Sequence, residues 1–264
     1  MARFLYGINP VLEALKAHPE DVLRVLVERG ARGKLTQGGD RVVALATERR
    51  VRVEEVPAQE ISRRAAHGVH QGVGAELREF AFVEPEDFLD IAARQGQAPF
   101  LVLLDQVTDP MNFGALIRSA HALGAHGVAV PKDRAAGITP VVAKAAAGAL
   151  EHCAVAQVTN VARTVEIWKE AGVWTVALAA EGDQEISALD LTSPIAIVLG
   201  SEGKGVRQLV RKTCDHLARI PMGGSVGSLN VAAAGAIALY EVARQRAAKA
   251  RGKSASHRAE PSPA

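Results

Sequence analysis

The chain has 264 residues, of which 48% are hydrophobic and 4% aromatic, and its formal net charge at pH 7 is +2. This length allows two domains, and the abundance of aliphatic over aromatic residues favours the α/β class. No apolar run approaches the about 20 residues that cross a bilayer, and the first residues lack the apolar core of a signal peptide. Cys153 and Cys214 have no metal-ligand spacing and are expected to be small core residues. We therefore expect a soluble, cytoplasmic protein without a disulfide framework or a bound metal.

The first elements predict a small α/β domain over residues 1–78. Asn9-Pro10 is a good N-cap and first-turn pair for a helix that carries Val11, Leu12 and Leu15. The following elements are a strand at Val22–Val27, a helix at Arg41–Arg50, a strand at Val51–Glu55, a helix at Gln59–Ala66 and a strand at Gly72–Glu76.

Two loops of this domain are basic. Arg29, Arg32 and Lys34 lie among glycines, and Arg63-Arg64 precede the segment His67–Gly72. Solvated loops and a mobile basic surface for RNA both fit this pattern, because basic loops alone are a weak signal.

A linker is predicted over residues 79–98. It contains an amphipathic helix after Glu84-Pro85, which Gly96 and Pro99 interrupt. A second domain, residues 99–247, begins with the aliphatic strand Phe100–Leu104 and continues as an alternation of strands and helices. Continuous aliphatic strands between helices predict a parallel sheet covered on both faces, with ligands beyond the carboxyl ends of the strands. Residues 248–264 are basic and lack a hydrophobic pattern, so they are expected to be a disordered tail, either solubilising or in weak contact with phosphate.

Three loops at the carboxyl ends of these strands carry unusual chemistry. In the first, Asp109-Pro110 begins a turn, and Asn112 and Arg118 follow on a helix that is otherwise largely apolar. Arg118 needs a partner there, and a structural salt bridge to Asp105 or Asp109 is one interpretation of its spacing.

The second loop is Gly200–Gly205, and the third is the turn Gly223–Asn230, which enters an alanine-rich helix. A phosphate-binding Walker loop would need lysine directly after Gly205, where Val206 stands, and the dinucleotide fingerprint also fails here. A plain tight turn, with Glu202 as a helix-start carboxylate, is the alternative for the second loop. The third loop leaves backbone amides and small hydroxyls free at a helix start, which is typical of a ligand site.

Taken in order, these loops resemble the signature motifs of the SpoU group of SPOUT methyltransferases, which use S-adenosylmethionine to methylate ribose 2′-hydroxyls in RNA. The matching segments are Asp109–Gly114 with Arg118, Leu199–Gly203 with Gly205, and Ile220–Met222 with Ser228–Val231. Tyr6–Leu15 and His70–Val73 are similar to the N-terminal L30e-like RNA-binding domain of the branch that methylates a guanosine of 23S ribosomal RNA. The resemblance implies an α/β SPOUT fold with a parallel sheet, a deep C-terminal trefoil knot and a homodimer.

The resemblance also implies the site residues. Those expected to hold the S-adenosylmethionine, largely through backbone groups, are Leu199, Gly200, Ile220, Met222, Ser228 and Leu229. Those expected to act on the ribose are Asn112, Arg118, Glu202, Ser228 and Asn230. The family pattern describes the arginine either as a general base or as a phosphate clamp, and we prefer the clamp because a guanidinium loses its proton with great difficulty. In many members this arginine reaches the donor bound by the partner subunit.

Two positions depart from the family pattern: Gly227 and Ala232 stand where serine is common. Activity is expected to survive, because Ser228 and Asn230 are retained. A transfer RNA target, or a non-catalytic ribosome-associated RNA-binding protein, remains an alternative, whereas a nucleotide-dependent oxidoreductase is excluded by the failed glycine fingerprints.

Overall fold

The computed structural model describes residues 2–28, 35–36, 38–224 and 227–257, the last five of these as backbone only. The basic loop with Arg29, Arg32 and Lys34 lies outside the described residues. Among the helices of the described segments, none combines the length and the apolar character that crossing a bilayer requires.

The N-terminal elements form a four-stranded sheet with three helices. They are β1 (Arg3–Tyr6), α1 (Ile8–Ala17), β2 (Val22–Val27), α2 (Gly39–Glu48), β3 (Val53–Glu55), α3 (Ala58–Arg64) and β4 (Val73–Leu77). The strand order is β1-β4-β2-β3, with β4 antiparallel to β1 and β2, and β3 parallel to β2. The predicted elements are present. The additional strand β1 is a short edge strand whose residues show no simple alternation in the sequence.

The remaining elements alternate as the sequence predicts. They are α4 (Asp87–Arg94), β5 (Phe100–Asp105), α5 (Pro110–Ala122), β6 (Gly127–Pro131), α6 (Pro140–Ala145), β7 (Val155–Val158), α7 (Val161–Glu170), β8 (Trp174–Leu178), β9 (Gln184–Glu185), β10 (Ile195–Gly200), α8 (Gln208–Thr213), β11 (His216–Arg219) and α9 (Val231–His257). The helix predicted over Pro140–Leu150 is shorter than expected, because Ala147 and Gly148 have positive φ angles of 52° and 98°.

Strands β5 to β11 form one sheet in the order β7-β6-β5-β10-β8-β11-β9, and every neighbouring pair is parallel. All residues of β5, β6 and β10 are buried. Strands that are buried on both faces read as continuous aliphatic runs, which is why their sequence predicted a parallel sheet. The α/β class with a parallel sheet is therefore confirmed.

The chain divides into two compact units. The first comprises the described residues of Met1–Phe82, Thr108–His121 and Ala136–Ala154, and so includes α5 and α6. The second comprises those of Val83–Val107, Ala122–Ala135 and Val155–Ala264, and contains the seven-stranded sheet.

The segment predicted as a linker, residues 79–98, contains a helix that belongs to the core of the second unit. Phe88 of α4 is fully buried, and its ring centroid lies 6.2 Å from that of Trp168, whose Nε1 donates to the Pro85 carbonyl at 3.2 Å. Burial of a large aromatic side chain stabilises a fold by several kcal/mol, on the order of 3–5 relative to alanine, so this part of the linker is structural.

The C-terminal segment also differs from the sequence prediction. Helix α9 continues to His257, ten residues into the segment 248–264 that was expected to be disordered. Alanine, arginine and lysine are strong helix formers, and they extend a helix that is already nucleated by its packed first turns. Residues 258–264 lie outside the described residues.

The buried His126 predicts a stability that falls in mild acid. Its Nδ1 accepts a hydrogen bond from the Phe100 N–H at 2.9 Å, and burial, followed by the charge of Arg246, lowers its pKa below 6.5. The unfolded chain therefore binds more protons below pH 6.5, and the free energy of unfolding should fall by up to about 1.4 kcal/mol per pH unit there. Denaturant unfolding between pH 7.5 and 5.5 measures this slope.

The matched variant is His126→Asn, whose side-chain oxygen can still accept from Phe100. It should flatten the slope, whereas His67→Asn, at an exposed histidine, should not. An unchanged slope in the His126 variant would show that this residue does not cause the acid sensitivity.

Candidate active site

A cavity of about 600 Å³ lies at the carboxyl ends of the central parallel strands of the second unit. Five segments line it: the end of β8 with residues 179–181, the end of β10 with the loop after it, Arg211 of α8, Ile220 and Met222 after β11, and the start of α9 with residues 227–230. This is where open α/β sheets bind ligands, because loops from neighbouring parallel strands meet at one edge.

The loop after β10 closes on itself as a tight turn. The Gly205 N–H donates to the Ser201 carbonyl at 2.8 Å, and Gly203 and Gly205 have φ angles of 78° and 66°. Residues with a side chain rarely adopt these left-handed φ angles, so glycine is favoured at both positions. The loop Gly200–Gly205 is therefore a tight turn, as one interpretation of the sequence predicted. Glu202 does not lie at the start of a helix, because α8 begins only at Gln208.

Gly200 makes the close approach between strand and loop possible. A Cβ atom on Gly200 would overlap the backbone of Gly205 and Val206. Because backbone atoms cannot move aside as a flexible side chain can, any other residue here must displace the loop that forms this wall of the cavity.

An ion pair between a buried carboxylate and an exposed arginine fixes the far end of the same loop. The side chain of Asp105, at the end of β5, is fully buried and accepts from the Arg207 backbone N–H at 2.9 Å, from its Nε at 2.8 Å and from its Nη2 at 2.7 Å. Asp105 is also the register partner of Gly200. A buried carboxylate needs such partners, and a bidentate guanidinium adds geometric specificity.

Two of the predicted catalytic side chains meet at the start of α9. The Asn230 Nδ2 donates to Glu202 Oε1 at 2.6 Å, while its Oδ1 accepts from the backbone N–H of Ala232 at 2.9 Å. Asn230 therefore caps α9 and holds the Glu202 carboxylate beside the cavity. Ser228 and Leu229 line the cavity next to it.

The other two predicted catalytic residues lie on α5, in the first unit. Asp109 caps this helix, since its Oδ1 accepts from the Asn112 N–H at 2.8 Å, and Pro110 occupies the first helical position. Arg118 is exposed, and Asn112 is half-buried. The apolar neighbours of Arg118 form the buried face of α5: Phe113, Gly114, Leu116, Ile117 and Ala120.

The salt bridge considered for Arg118 is not found among the described residues. Asp105 binds Arg207, and Asp109 caps α5. Arg118 thus presents an exposed guanidinium that no described carboxylate pairs, as a residue that binds a substrate phosphate must.

Three charged residues that line the cavity were not predicted as site residues: Glu181, Lys204 and Arg211. Glu181 follows β8, and its Oε1 lies 2.5 Å from Arg211 Nη1 of α8. A hydrogen bond from its own backbone and another from Arg211 lower the pKa of Glu181. The sequence predicted the strand β8, but only the strand order, with β10 between β5 and β8, brings the residues after β8 to the same cavity.

All six residues expected to hold the methyl donor line this one cavity: Leu199, Gly200, Ile220, Met222, Ser228 and Leu229. The wall is mostly aliphatic, and the turn of the loop exposes main-chain groups along it. An adenosyl group can bind between aliphatic side chains through backbone donors and acceptors, so the cavity fits S-adenosylmethionine.

A parallel α/β sheet with such a cavity at its carboxyl edge is typical of proteins that bind a nucleoside cofactor. Residues 99–240 match the model of the SpoU rRNA Methylase family, and residues 4–83 match that of RNA 2′-O ribose methyltransferase substrate binding. The chain belongs to the SpoU rRNA methylase family, as its motifs suggested.

The chain is 43% identical to the 23S rRNA (guanosine-2′-O-)-methyltransferase RlmB of Pseudomonas syringae over 93% of its own length and 96% of that protein. It is 39% identical to a Bacillus subtilis protein named as a TrmH family tRNA/rRNA methyltransferase, YacO, over 92% of its own length and 96% of that protein. The structure of the SpoU methyltransferase AviRb from Streptomyces viridochromogenes in complex with AdoMet has a TM-score of 0.74 and 29% identity, covering 92% of this chain and 90% of that chain. The protein is an S-adenosylmethionine-dependent RNA methyltransferase.

Proposed function

We propose that the protein methylates the ribose 2′-hydroxyl of a guanosine in 23S ribosomal RNA. The cavity that gathers Gly200, Glu202, Ile220, Leu229 and Asn230 at one sheet edge carries this proposal. The similarity to RlmB over nearly the whole of both chains supports the guanosine of 23S RNA as the target. A ribosomal RNA substrate supports a cytoplasmic location for the enzyme.

The bound S-adenosylmethionine supplies an electrophilic methyl group on a positively charged sulfur. The aliphatic side chains of Leu199, Ile220, Met222 and Leu229 would hold its adenosyl part and exclude water. Gly200 would allow the loop backbone to lie close to the donor. The protein is left to position the ribose oxygen in line with the methyl group and to stabilise the charge that develops on this oxygen.

Arg118 takes the central role in this proposal. Its guanidinium would bind the RNA phosphate and stabilise the negative charge that develops on the 2′-oxygen as the proton of this hydroxyl leaves to water. Asn112, Ser228 and the hydrogen-bonded pair Glu202–Asn230 would orient Arg118 and the ribose.

The finer fold assignments belong to the same proposal. A deep trefoil knot in residues 99–247 is supported by the sheet order, because β10 is inserted between the earlier strands β5 and β8 before the chain turns back to α9. The L30e-like assignment of residues 1–78, as the domain that selects RNA, is supported by the substrate-binding match over residues 4–83.

A homodimer completes the proposal. Helix α9 carries an exposed stripe at positions Ala233, Ile237 and Tyr240, and the side chains of Ile237 and Tyr240 are 42% and 58% exposed. Large apolar side chains in a row on one helix face are typical of an interface with a second subunit. In a dimer, Arg118 of one subunit would act on the donor held by the other subunit. Light scattering measures the molecular mass, which distinguishes a dimer from a monomer.

Mapping of 2′-O-methylation in RNA from cells with and without this protein tests the function. A single guanosine of 23S RNA should lose its methyl group when the protein is absent. Loss at a transfer RNA position instead would favour the alternative target. No lost position, together with no S-adenosylmethionine binding by calorimetry, would favour a non-catalytic RNA-binding protein.

A further inference from the structure

The loop between α3 and β4, residues 65–72, has an unusual backbone. Four of its residues have positive φ angles, and three of these are not glycine: Ala66 at 47°, His67 at 62°, Gln71 at 57° and Gly72 at 73°. Each such non-glycine residue costs on the order of 1 kcal/mol, and strained backbone concentrates at functional sites.

Hydrogen bonds hold this backbone in place. The Nδ1 of His70 accepts from the Gly72 N–H at 3.0 Å, and its Nε2 lies 2.9 Å from Ser62 Oγ. The loop also packs on Tyr6, since a Cβ on Gly68 would lie 2.5 Å from the Tyr6 hydroxyl oxygen. The loop is thus tied to α3, β4 and the end of β1.

Val69 lies at the centre of this loop and is 76% exposed, the largest exposure among the exposed large hydrophobic residues of the described chain. A valine gains nothing in stability from this position, because its side chain contacts mainly water. A fixed loop that holds an apolar side chain out of the protein presents it to something else.

A positive charge lies beside the loop. The Lys144 Nζ of α6 is 3.3 Å from Gln71 Oε1 and 5.7 Å from the centroid of the Tyr6 ring. Within residues 2–28, 35–36, 38–224 and 227–252, no carboxylate lies within ion-pair distance of this ammonium group, and burial lowers the pKa of Lys144. An amide oxygen and a ring face compensate a half-buried ammonium only in part, so an anion would be a favourable partner.

Two basic residues of the first unit, Arg64 and Lys16, differ from Lys144 in this respect. Arg64 pairs with Glu60 and Glu76, and Lys16 Nζ lies 2.7 Å from Glu13 Oε1. Their charges are already balanced within the protein, whereas the charge of Lys144 is available to a ligand.

We propose that Val69 and Lys144 form a contact site for a looped-out nucleotide of the RNA substrate. Val69 takes the apolar face of an unstacked base, and Lys144 binds a neighbouring phosphate. RNA is the partner that presents both groups together, since its single-stranded loops splay bases out beside a charged backbone. The site rests on the proposed RNA methylation, and it assigns substrate recognition to residues that lie apart from the donor cavity in the sequence.

Filter binding of an unmodified 23S ribosomal RNA transcript between 50 and 200 mM salt tests the site. Lys144→Ala should weaken binding about five-fold and reduce the salt slope by about one unit, as expected for one lost phosphate contact. Val69→Ser should weaken binding about three- to ten-fold and leave the slope unchanged, as expected for a lost base contact. The matched controls are Lys16→Ala, a lysine already paired with Glu13, and Leu23→Ser, an apolar residue that is 48% exposed on β2.

Thermal melting should be unchanged in all four variants, since the affected side chains are exposed or half-buried. The site would be overturned if the Lys144 and Val69 variants bound RNA as tightly as the controls do. It would also be overturned if the two substitutions weakened binding to a protein partner but not to RNA. Methyl transfer to 23S RNA is measured separately on the wild-type protein. Its failure would remove the proposed target, while the RNA affinities of the variants would still decide the contact site.

Discussion

Replacing Arg118 with alanine should abolish methyl transfer while S-adenosylmethionine binding stays nearly intact. The guanidinium is proposed to stabilise charge that develops on the ribose oxygen, and loss of such a group costs roughly a thousand-fold or more in rate. Because Arg118 is exposed on α5 and forms no ion pair with a described residue, its removal should not destabilise the fold. Single-turnover transfer of a labelled methyl group measures the rate, and calorimetry measures donor affinity. Near-wild-type turnover would contradict the role.

The variant Arg118→Lys distinguishes a clamp from a general base. Lysine keeps the positive charge but loses the planar fork that matches phosphate, so activity should fall to an intermediate level. As the pH rises towards about 10, this lysine loses its proton. If the positive charge of residue 118 is needed, the methyl-transfer rate of the Arg118→Lys variant should then fall relative to that of the wild-type protein. If the side chain acts as a base, this rate should rise.

Replacing Gly200 with alanine should remove donor binding first. The added methyl group would overlap the backbone of Gly205 and Val206, so the loop that forms one wall of the cavity must move. Overpacking of this kind costs about 1–3 kcal/mol. If this cost is subtracted from the binding free energy of the donor, the affinity falls by about ten- to hundred-fold. Calorimetry with S-adenosylmethionine measures this loss.

Gly227 provides the matched control for Gly200. It lines the same cavity, but a Cβ there would have no heavy atom within 4 Å. Gly227→Ser should keep donor affinity within about two-fold, since an added side chain meets open space there. Equal losses in both variants would show that the overlap at Gly200 is not the cause.

Elements of the fold that depend on local patterns were predicted from the sequence. Asp109-Pro110 predicts the start of α5 from local sequence alone. The Asp109 carboxylate accepts from the N–H of Asn112, three residues later, and the fixed φ angle of proline suits the first helical position. The buried strands β5 and β10 were identified for a similar reason, since burial on both faces requires continuous aliphatic residues.

Contacts that depend on strand order could not be predicted. Asp105 and Arg207 are 102 residues apart, and only the pairing of β5 with β10 brings them together. The interpretation of Arg118 as a salt-bridge partner of Asp105 failed for this reason. The six residues expected to bind the donor do line one cavity, whereas Glu181 and Arg211 join it through a sheet order that periodicity does not reveal.

Both cysteines have a chemical consequence for work on this protein. Cys153 and Cys214 form no disulfide, and burial raises the pKa of each thiol to about 12. Only a thiolate reacts with maleimides and iodoacetamides, and at pH 7 on the order of one in 100,000 such thiols is ionised. A single cysteine introduced at exposed Val69 should therefore accept a fluorophore or cross-linker alone, with both native cysteines left in place.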